Sequence, residues 1–386
     1  MSEWTTIKLG DLYEVHNGLS KGGKFFGTGF PFLTFSTVFN NFFIPDELTD
    51  YVQSTEKEQE NYSIHRGDVF VTRTSETSDE LGMSCVALKD YPTATYNGFT
   101  KRMRPITDKV LPEFIGYYMR MPSFRGKFMA FSTMTTRASL KNEDLLGITI
   151  KFPSLDIQKR IYEILYAYDD LIQNNQKQIK LLEEASQRLY KEWFVDLRFP
   201  GYENTPIVDG VPEGWKEGTL GQISLFTRGR TITKAQVHDG NVPVVAGGLE
   251  PAYYHNISNT VAPVITVSGS GANAGFTRLY NIDIFASDCS YVDSKSTSFL
   301  FFVYCFLKAN KMKLDSLQKG SAQPHVYAKD LNALELTVPP KKLLEFFCGI
   351  VSPYFEKIRL LQREIELATQ ARDRLLPKLM SGEIEV

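Results

Sequence analysis

One long stretch without proline or glycine, residues 156–194, constrains the fold more than any other part of the sequence. Apolar residues recur in it at alternating spacings of four and three, which is typical of a heptad seam on a single helix. About 39 residues at ~1.5 Å rise per residue span about 60 Å, so the helix needs a partner helix to bury its seam. The predicted seam comprises Ile161, Leu165, Tyr168, Ile172, Asn175, Ile179, Leu182, Ser186, Leu189 and Trp193.

An internal repeat supplies that partner. The segment around Asp144 matches the segment around Asp330 at an offset of 186 residues. Trp4 and Trp215 open the two copies at an offset of 211 residues, so the chain is a tandem duplication whose first copy carries 25 extra residues (211 − 186). The offset of 186 maps the seam onto Phe347, Val351, Tyr354, Ile358, Leu361, Ile365, Ala368, Arg372, Leu375 and Leu379.

The sequence also predicts where both helices begin and end. Asp156 is well placed to cap the N-terminus of the first helix. In the second helix, Pro353 falls inside the seam, and because an interior proline costs about 3 kcal/mol, we expect an interruption at residues 349–353. Pro377 and Gly382 are expected to end this helix.

Two arrangements of the long helices satisfy the seam. Each helix could pair with its copy in another chain, giving an obligate dimer, or the two helices could pair antiparallel within one chain. We favour the single chain, because the segment after the first helix must lead to the second copy in either case. The polar seam residues Asn175, Ser186 and Arg372 then meet different neighbours and can set the register.

The segments that precede the helices are rich in strand-like runs, such as residues 67–74 and 262–270, with short helical pieces between them. We therefore predict an α+β fold. Two β-rich globular domains with short helices would be separated by two long antiparallel helices that form a coiled coil, in a pseudo-two-fold tandem repeat. The predicted domains are residues 1–155, 156–200 (first helix and linker), 201–340 and 341–386.

Composition and motifs argue against an enzyme. The chain has 386 residues and a formal net charge of −2, without the basic excess of many nucleic-acid binders. It has no phosphate loop, HExxH motif, GxSxG elbow or dinucleotide fingerprint. The 4 cysteines and 5 histidines are scattered without ligand spacing, so no metal site and no catalytic site is predicted.

Two further expectations concern location and surface. The sequence has neither a signal peptide nor an apolar run of about 18 residues, so we expect a cytoplasmic protein without a membrane span. The carboxylates of Glu163, Asp169, Glu183 and Glu184 on the first helix are expected to form a solvated face or a face that contacts other proteins.

Polar and basic residues follow matched strands in the two copies. Glycine lets the backbone approach a ligand closely, and Ser, Asn and Arg can bond phosphates or base edges. A plain hairpin turn or a solvated charged edge remains the alternative for each segment. Arg137 and Gln323 occupy matched positions, and because arginine suits guanine and glutamine suits adenine, they are candidates for reading different sequences. The candidate residues for contact with DNA are Arg73, Thr74, Lys101, Arg102, Arg104, Arg137, Lys141, Arg228, Arg230, Ser268, Ser270, Asn273, Arg278, Lys319, Gln323, His325 and Lys329.

Several motifs resemble the specificity (S) subunits of type I restriction-modification enzymes. They are the opening W-x4-LG-[DQ]-[LI] of both copies, the helix entries FPSLDIQKRIYEIL and VPPKKLLEFF, and the stretches SQRLYKEWFVDLRFPGYE and ARDRLLPKLMSGEIEV. The resemblance covers the whole chain. It departs from the family at the helix entries, because the first has Phe152-Pro153 in place of Pro-Pro and the second lacks the glutamine that the first keeps as Gln158.

The resemblance implies a DNA-recognition subunit that is not itself an enzyme. Residues 1–155 and 201–340 would each be a target-recognition domain that reads one half of a split, asymmetric site in double-stranded DNA. The helices would fix the gap between the half-sites and dock two methyltransferase (M) subunits, which methylate adenine with S-adenosylmethionine. Restriction (R) subunits would add cleavage and translocation driven by ATP with Mg, while this chain would hold no cofactor. The alternatives are a non-catalytic adaptor that binds only proteins and, less favoured, an enzyme with an unrecognised site.

Overall fold

The computed structural model describes residues 4–75, 80–131, 138–318 and 324–386. The chain forms two compact units. Unit 1 comprises Met1–Ile172 and Leu367–Val386, and unit 2 comprises Gln173–Glu366. Both divisions fall inside long helices, so each unit contains one part of each long helix.

Unit 1 holds the first set of short elements. Its strands are β1 (Thr5–Lys8), β2 (Tyr13–Asn17), β3 (Phe26–Leu33), β4 (Tyr51–Val52), β5 (Val69–Thr72), β6 (Thr74–Ser75), β7 (Ser84–Val86), β8 (Thr95–Tyr96), β9 (Thr100–Pro105), β10 (Ala138–Ser139) and β11 (Thr149–Phe152). Its helices are α1 (Phe35–Asn40), α2 (Glu56–Asn61), α3 (Pro112–Tyr118), α4 (Pro122–Phe131) and α5 (Asn142–Gly147), followed by the start of the long helix α6 (Leu155–Phe194).

The strands of unit 1 form a four-stranded antiparallel sheet in the order β2-β9-β5-β7. A three-stranded sheet has the order β4-β3-β8, β1 pairs with β11, and β6 pairs with β10. Val69 and Met103 of the larger sheet pack with Phe114 of α3 in the apolar core of the unit. Burial of such side chains is the main force that holds the sheet and the short helices together.

Unit 2 holds the second set. Its strands are β12 (Ile207–Val208), β13 (Val211–Pro212), β14 (Lys216–Thr219), β15 (Thr227–Arg228), β16 (Val242–Val245), β17 (Tyr253–His255), β18 (Val264–Ser268), β19 (Thr277–Tyr280), β20 (Phe285–Ala286), β21 (Cys289–Asp293) and β22 (Glu335–Val338). Its helices are α7 (Leu300–Ala309), α8 (Lys311–Ser316), α9 (Ala328–Asn332) and most of the long helix α10 (Lys341–Ser381).

The strand order of unit 2 repeats that of unit 1. The four-stranded sheet is β15-β21-β18-β19, the three-stranded sheet is β17-β16-β20, and β14 pairs with β22 as β1 pairs with β11. The added hairpin β12–β13 lies between the end of α6 and β14, at the start of the predicted domain 201–340. The duplication read from the sequence is therefore also a duplication of the fold, since corresponding strands have corresponding neighbours.

The matched leucine of the opening motif closes each domain. Leu9 donates its amide hydrogen to the carbonyl of Ile148 at 2.8 Å, and Leu220 donates to Leu334 at 2.9 Å. Both leucine side chains are fully buried. The motif thus ties the first strand of each copy to the segment that enters the long helix.

Gly18 and Gly229, which match at the offset of 211 residues, stand where strands pass close to a neighbouring loop. A Cβ atom on Gly18 would lie 2.1 Å from the carbonyl oxygen of Asn97, and one on Gly229 would lie 2.3 Å from that of Ser287. No side chain fits at such distances, so a glycine is required here by close approach of the backbone. This is the physical reason for the recurrence of glycine in both copies.

The start of α6 differs from the prediction. The helix begins at Leu155, and its first i→i−4 bond joins the amide of Gln158 to the carbonyl of Ser154 at 3.0 Å. Asp156 therefore lies in the first turn and is not the N-cap. The chain turns helical directly after Pro153, and a carboxylate in the first turn is still favourable because it faces the positive end of the helix dipole.

The two helix entries are anchored in different ways. Gln158 is fully buried, accepts the amide hydrogen of Leu111 at 2.8 Å and donates to the carbonyls of Lys109 and Pro153 at 3.0 and 2.9 Å. The matched residue of α10, Leu344, is also buried but packs in the apolar core of unit 2. The missing glutamine of the second entry is therefore replaced by apolar packing.

α10 is continuous over its 41 residues, so the predicted interruption is wrong. Pro353 removes the donor to the carbonyl of Gly349, but both residues are exposed, so water can satisfy that carbonyl. Burial of Phe355 on the other face holds the helix together. Pro377 is likewise exposed and does not end the helix, which stops before Gly382 with its φ of +78°.

In unit 1, the beginning of α6 and the end of α10 contribute to the same apolar core. Of the predicted seam residues in this unit, Ile161, Leu165 and Leu379 are buried, and Tyr168, Ile172 and Leu375 are half-buried. The first part of one helix thus packs with the last part of the other.

An ion pair supports this packing. Arg372 Nη1 lies 2.5 Å from Asp169 Oδ1, and the Tyr117 hydroxyl donates to the other carboxylate oxygen. The guanidinium also lies 5.2 Å from the ring centroid of Phe42. Asp169 is only 13% exposed, so it does not belong to the solvated or partner-facing surface expected from the sequence, because its charge is matched within the unit.

In unit 2, the end of α6 and the beginning of α10 share the other main core. Of the predicted seam residues there, Trp193, Ile358 and Leu361 are buried, and Ile179, Leu182, Leu189 and Ile365 are half-buried. The buried amide of Asn175 donates to Glu364 at 2.9 Å, and Ser186 donates to the carbonyl of Glu183 at 2.7 Å. The polar seam residues therefore have partners within the unit.

Candidate nucleic-acid interface

In unit 1, several strand ends converge at one edge of the four-stranded sheet. The amide of Arg73 donates to the carbonyl of Phe99 at 3.0 Å, and the amide of Leu140 donates to the carbonyl of Arg73 at 3.0 Å. These bonds connect the end of β5, the loop before β9 and the segment after β10, beside the end of β2. We call this place the first junction and define it by Asn17, Arg73, Phe99, Lys101 and Asn142.

The same bonds recur in unit 2. The amide of Gly269 donates to the carbonyl of Asp288 at 3.3 Å, and the amide of Val326 donates to the carbonyl of Gly269 at 3.1 Å. A small cavity opens at this place. We call it the second junction and define it by the lining residues Arg228, Gly269, Asp288, Ser290, His325 and Tyr327.

The sheet registers fix which residues correspond. Asn17 lies opposite Lys101 in the β2–β9 pair, and Arg228 lies opposite Ser290 in the β15–β21 pair. Together with the matched backbone bonds, these registers give four equivalent positions. They are Asn17 with Arg228, Lys101 with Ser290, Arg73 with Gly269, and Phe99 with Asp288.

Arginine dominates the first junction. Arg73 is half-buried, with its Nη1 3.4 Å from Asn17 Oδ1, and its buried Nε has no hydrogen-bond partner among the described residues. Lys101 is 4% exposed and donates to Asn142 Oδ1. Burial, and then the charge of Arg73, lowers the pKa of the Lys101 ammonium group. Phe99, whose carbonyl accepts the amide hydrogen of Arg73, has a side chain that is 58% exposed.

The second junction combines a cation with a carboxylate. Arg228 is 62% exposed, and its Nη2 lies 3.5 Å from Asp288 Oδ1. The hydroxyl of Ser270 donates to the other oxygen of Asp288. On the rim, the His325 ring stacks on Tyr327 with centroids 5.9 Å apart. This set can donate and accept hydrogen bonds, which suits the edges of bases.

Two predicted basic residues are used inside unit 1 instead. Arg102 is 3% exposed and donates to the Ser63 carbonyl at 2.7 Å. Arg104 binds Asp68 through two bonds of 2.8 and 2.7 Å and also reaches Ser63. Both lie on β9, a central strand of the sheet. The two arginines therefore bind groups inside the unit and do not form the exposed basic edge that a run of charges suggests. Lys101, on the other face of β9, is the member that reaches the junction.

Other predicted residues occupy different places in unit 2. Ser268 is 4% exposed and donates to the carbonyl of Gly247 at 3.0 Å, so it does not face solvent. Arg278 donates to the carbonyl of Leu249 at 2.7 Å and lies away from the lining of the second junction. The remaining members are half-buried or exposed: Arg230 and Lys329 are exposed, and Asn273 is half-buried in a turn. In unit 1, Lys141 is exposed next to Asn142.

Some predicted residues cannot be located. Arg137, Lys319 and Gln323 lie outside the described residues, so the predicted difference between guanine and adenine readers at these positions stays a prediction. Thr74 is described only as part of β6, which pairs with β10.

Sequence reasoning missed several members of the junctions: Asn17, Phe99 and Asn142 in the first, and Gly269, Asp288, Ser290 and Tyr327 in the second. The signal for the first of them was present, because the offset of 211 that aligns the two matched glycines also aligns Asn17 with Arg228. Phe99 and Asp288 correspond only through the sheet registers, and no residue type links them. In the described part of the chain, no cluster of three or more His, Cys, Asp or Glu side chains forms a metal site, and no helix is long and apolar enough to cross a membrane.

Two copies of one β-rich domain, each joined to a long helix and each carrying a polar junction, define a duplicated recognition protein. The family model described as "Type I restriction modification DNA specificity domain" matches residues 1–184 and 212–369. The chain therefore belongs to this family, and the resemblance seen in its sequence motifs is confirmed.

Individual relatives agree with the family. The chain is 25% identical to the type I restriction enzyme MjaIX specificity subunit of Methanocaldococcus jannaschii, over 100% of this chain and 94% of the relative. It is 22% identical to the HindI specificity subunit of Haemophilus influenzae, over 100% of both chains. The crystal structure of a type I S subunit from M. genitalium has the same fold, with a TM-score of 0.59, 16% identity and coverage of 98% and 96%.

Proposed function

We propose that this chain is the subunit that reads a bipartite, asymmetric site in double-stranded DNA for a type I restriction-modification complex. Each unit would read one half-site with its junction. The observation that carries the proposal is that the two junctions have the same backbone bonds but different side chains at equivalent positions. Two domains that recognise different base sequences require the same backbone arrangement with different side chains on it.

The chemistry of the junctions supports base reading. The first junction offers the guanidinium of Arg73 and the exposed side chain of Phe99, and the second junction offers a guanidinium, a carboxylate and an imidazole within one small cavity. Arginine donates two parallel bonds to guanine, carboxylates accept from cytosine, and apolar groups contact the methyl group of thymine. Exposed lysines such as Lys141 and Lys329 are suited to bind phosphates without sequence preference.

The long helices have a separate role in this proposal. Paired antiparallel as a coiled coil, they would separate the two target-recognition domains and fix the gap between half-sites. Two M subunits would dock on them and methylate adenine with S-adenosylmethionine, and R subunits with ATP and Mg would complete the nuclease in the cytoplasm. With partners supplying part of the positive surface, a net charge of −2 on this chain is compatible with DNA binding.

Co-purification followed by DNA footprinting tests the proposal. The chain, expressed with M subunits, should form a complex that protects two short blocks of sequence separated by an unprotected spacer. The affinity should fall steeply as salt rises, because counterions are released from the phosphates. A complex that forms but protects no specific sequence would support the alternative, an adaptor that binds only proteins, and would contradict the proposal.

A further inference from the structure

Both junctions hold an arginine, but each takes it from a different strand. In the first junction, Arg73 follows β5 and reaches toward Asn17 at the end of β2. In the second junction, Arg228 ends β15, the counterpart of β2, and the position equivalent to Arg73 is Gly269. The arginine thus comes from a different strand in each copy, while the junction to which it belongs is the same.

The surroundings of each arginine limit its freedom. Arg73 is half-buried, its Nε is enclosed without a hydrogen-bond partner among the described residues, and its Nη1 lies 3.4 Å from Asn17 Oδ1. Arg228 is more exposed, but its Nη2 lies against Asp288, which Ser270 holds in turn. A guanidinium that is already oriented loses less conformational entropy when it binds than a free lysine does.

We propose that Arg73 and Arg228 each read a guanine, at equivalent positions of the two half-sites, through two bonds to its major-groove edge. This inference rests on the proposed function and specifies which residues carry it. Phosphate contacts need charge but no fixed orientation, whereas reading guanine needs an oriented planar fork of donors. Each junction provides such a fork, held by Asn17 in the first and by Asp288 in the second.

Selection of DNA from a pool randomised over both half-sites tests this inference, with the chain in complex with M subunits. Arg73→Ala should lower the preference for guanine at one position of one half-site by roughly 5- to 150-fold and leave the other half-site unchanged. Arg228→Ala should do the same in the other half-site. Arg73→Lys keeps the charge but removes the fork, so it should lose the preference while retaining most of the non-specific affinity.

A transplanted arginine sharpens the test. The double variant Asn17→Arg with Arg73→Gly gives the first junction the arrangement of the second, and it should prefer guanine at the same position as the wild type. Lys141→Ala and Lys329→Ala serve as contrast, because loss of a phosphate contact weakens binding to all sequences equally and reduces the salt dependence.

The possible outcomes distinguish a failure of the proposed function from a failure of the inference that the two arginines read guanine. If the wild-type complex selects no bipartite site, the proposed function itself is wrong. If the wild type selects one but Arg73→Ala and Arg228→Ala behave like the two lysine variants, or change no base preference at all, the arginines are not guanine readers and only this inference is overturned. Assembly of each variant with the M subunits is measured first, and Arg73→Lys provides the conservative variant should Arg73→Ala fail to assemble.

Discussion

Arg73 in the first junction corresponds to Gly269 in the second, and Arg228 in the second corresponds to Asn17 in the first. The backbone bonds around these positions differ by only a few tenths of an ångström, from 3.0 Å in unit 1 to 3.1 and 3.3 Å in unit 2. The comparison teaches that the duplicated frame is maintained by backbone pairing and glycines. Side chains at its edge were then free to diverge, because they do not hold the frame together.

The contacts of the long helices have diverged in the same manner. Asp169 and Arg372 form an ion pair in unit 1, and the residues that match them in unit 2 are Phe355 and Ser186. Phe355 stacks on Phe301 with ring centroids 4.4 Å apart and planes at 4°. At equivalent positions of the long helices, unit 1 therefore has an ion pair and unit 2 has an aromatic contact.

The largest effect is expected from removing one partner of the ion pair. Arg372→Met leaves the mostly buried carboxylate of Asp169 without its cation, which should lower the free energy of unfolding by about 3 kcal/mol. The double variant Asp169→Leu with Arg372→Met leaves neither charge unpaired and should be less destabilised than the single variant. Chemical denaturation monitored by circular dichroism measures both. Equal losses in the single and the double variant would contradict the role given to charge in unit 1.

A smaller loss is expected from the matched glycines. Gly18→Ala and Gly229→Ala each force a Cβ against a backbone carbonyl, and such overpacking should cost about 2 kcal/mol. Gly23→Ala is the control, since a Cβ there meets nothing within 4 Å. Thermal unfolding of the three variants provides the comparison. If Gly18→Ala is as stable as Gly23→Ala, close approach of the backbone does not explain the recurring glycine.

The smallest effect is expected from exchanging the residue types at the equivalent positions Phe99 and Asp288. Phe99→Asp should reduce any preference for thymine beside the first guanine and favour cytosine, and Asp288→Phe should do the reverse in the other half-site. The expected change is about tenfold in base preference, since a single base contact is worth about 1–3 kcal/mol. Selection from a randomised DNA pool measures it, and an altered preference far from the guanine position would argue against these two residues as its neighbours.

The sequence predicted the architecture better than the site. The seam and the two offsets depend on periodicity and repetition, which the sequence displays directly. The family was predicted from the motifs at the start of each copy and at the entries to the long helices. The prediction that Pro353 interrupts α10 was wrong. Pro353 is exposed, and burial of the opposite face holds the helix together, which depends on tertiary packing that the sequence does not display.

The site was harder to predict, because neighbours across a sheet are not neighbours in sequence. Arg102 and Arg104 looked like an exposed basic cluster, yet Asp68 and Ser63, more than thirty residues away, bind them inside the unit. The sequence also did not show that Arg73 and Arg228 belong to corresponding junctions, because the two residues lie on strands that do not correspond. Only the sheet registers show this correspondence.

The most direct test of two readers held at a fixed separation is a map of methylated adenines in cells that carry the M subunits and a lengthened chain. One heptad is inserted after Gln176 in α6 and one after Arg363 in α10, close to the contact between Asn175 and Glu364. Seven residues preserve the seam and add about 10 Å, which corresponds to about three base pairs of DNA. The account predicts the same two half-sites with a spacer longer by about three base pairs. An unchanged spacer, or the loss of one half-site, would contradict it.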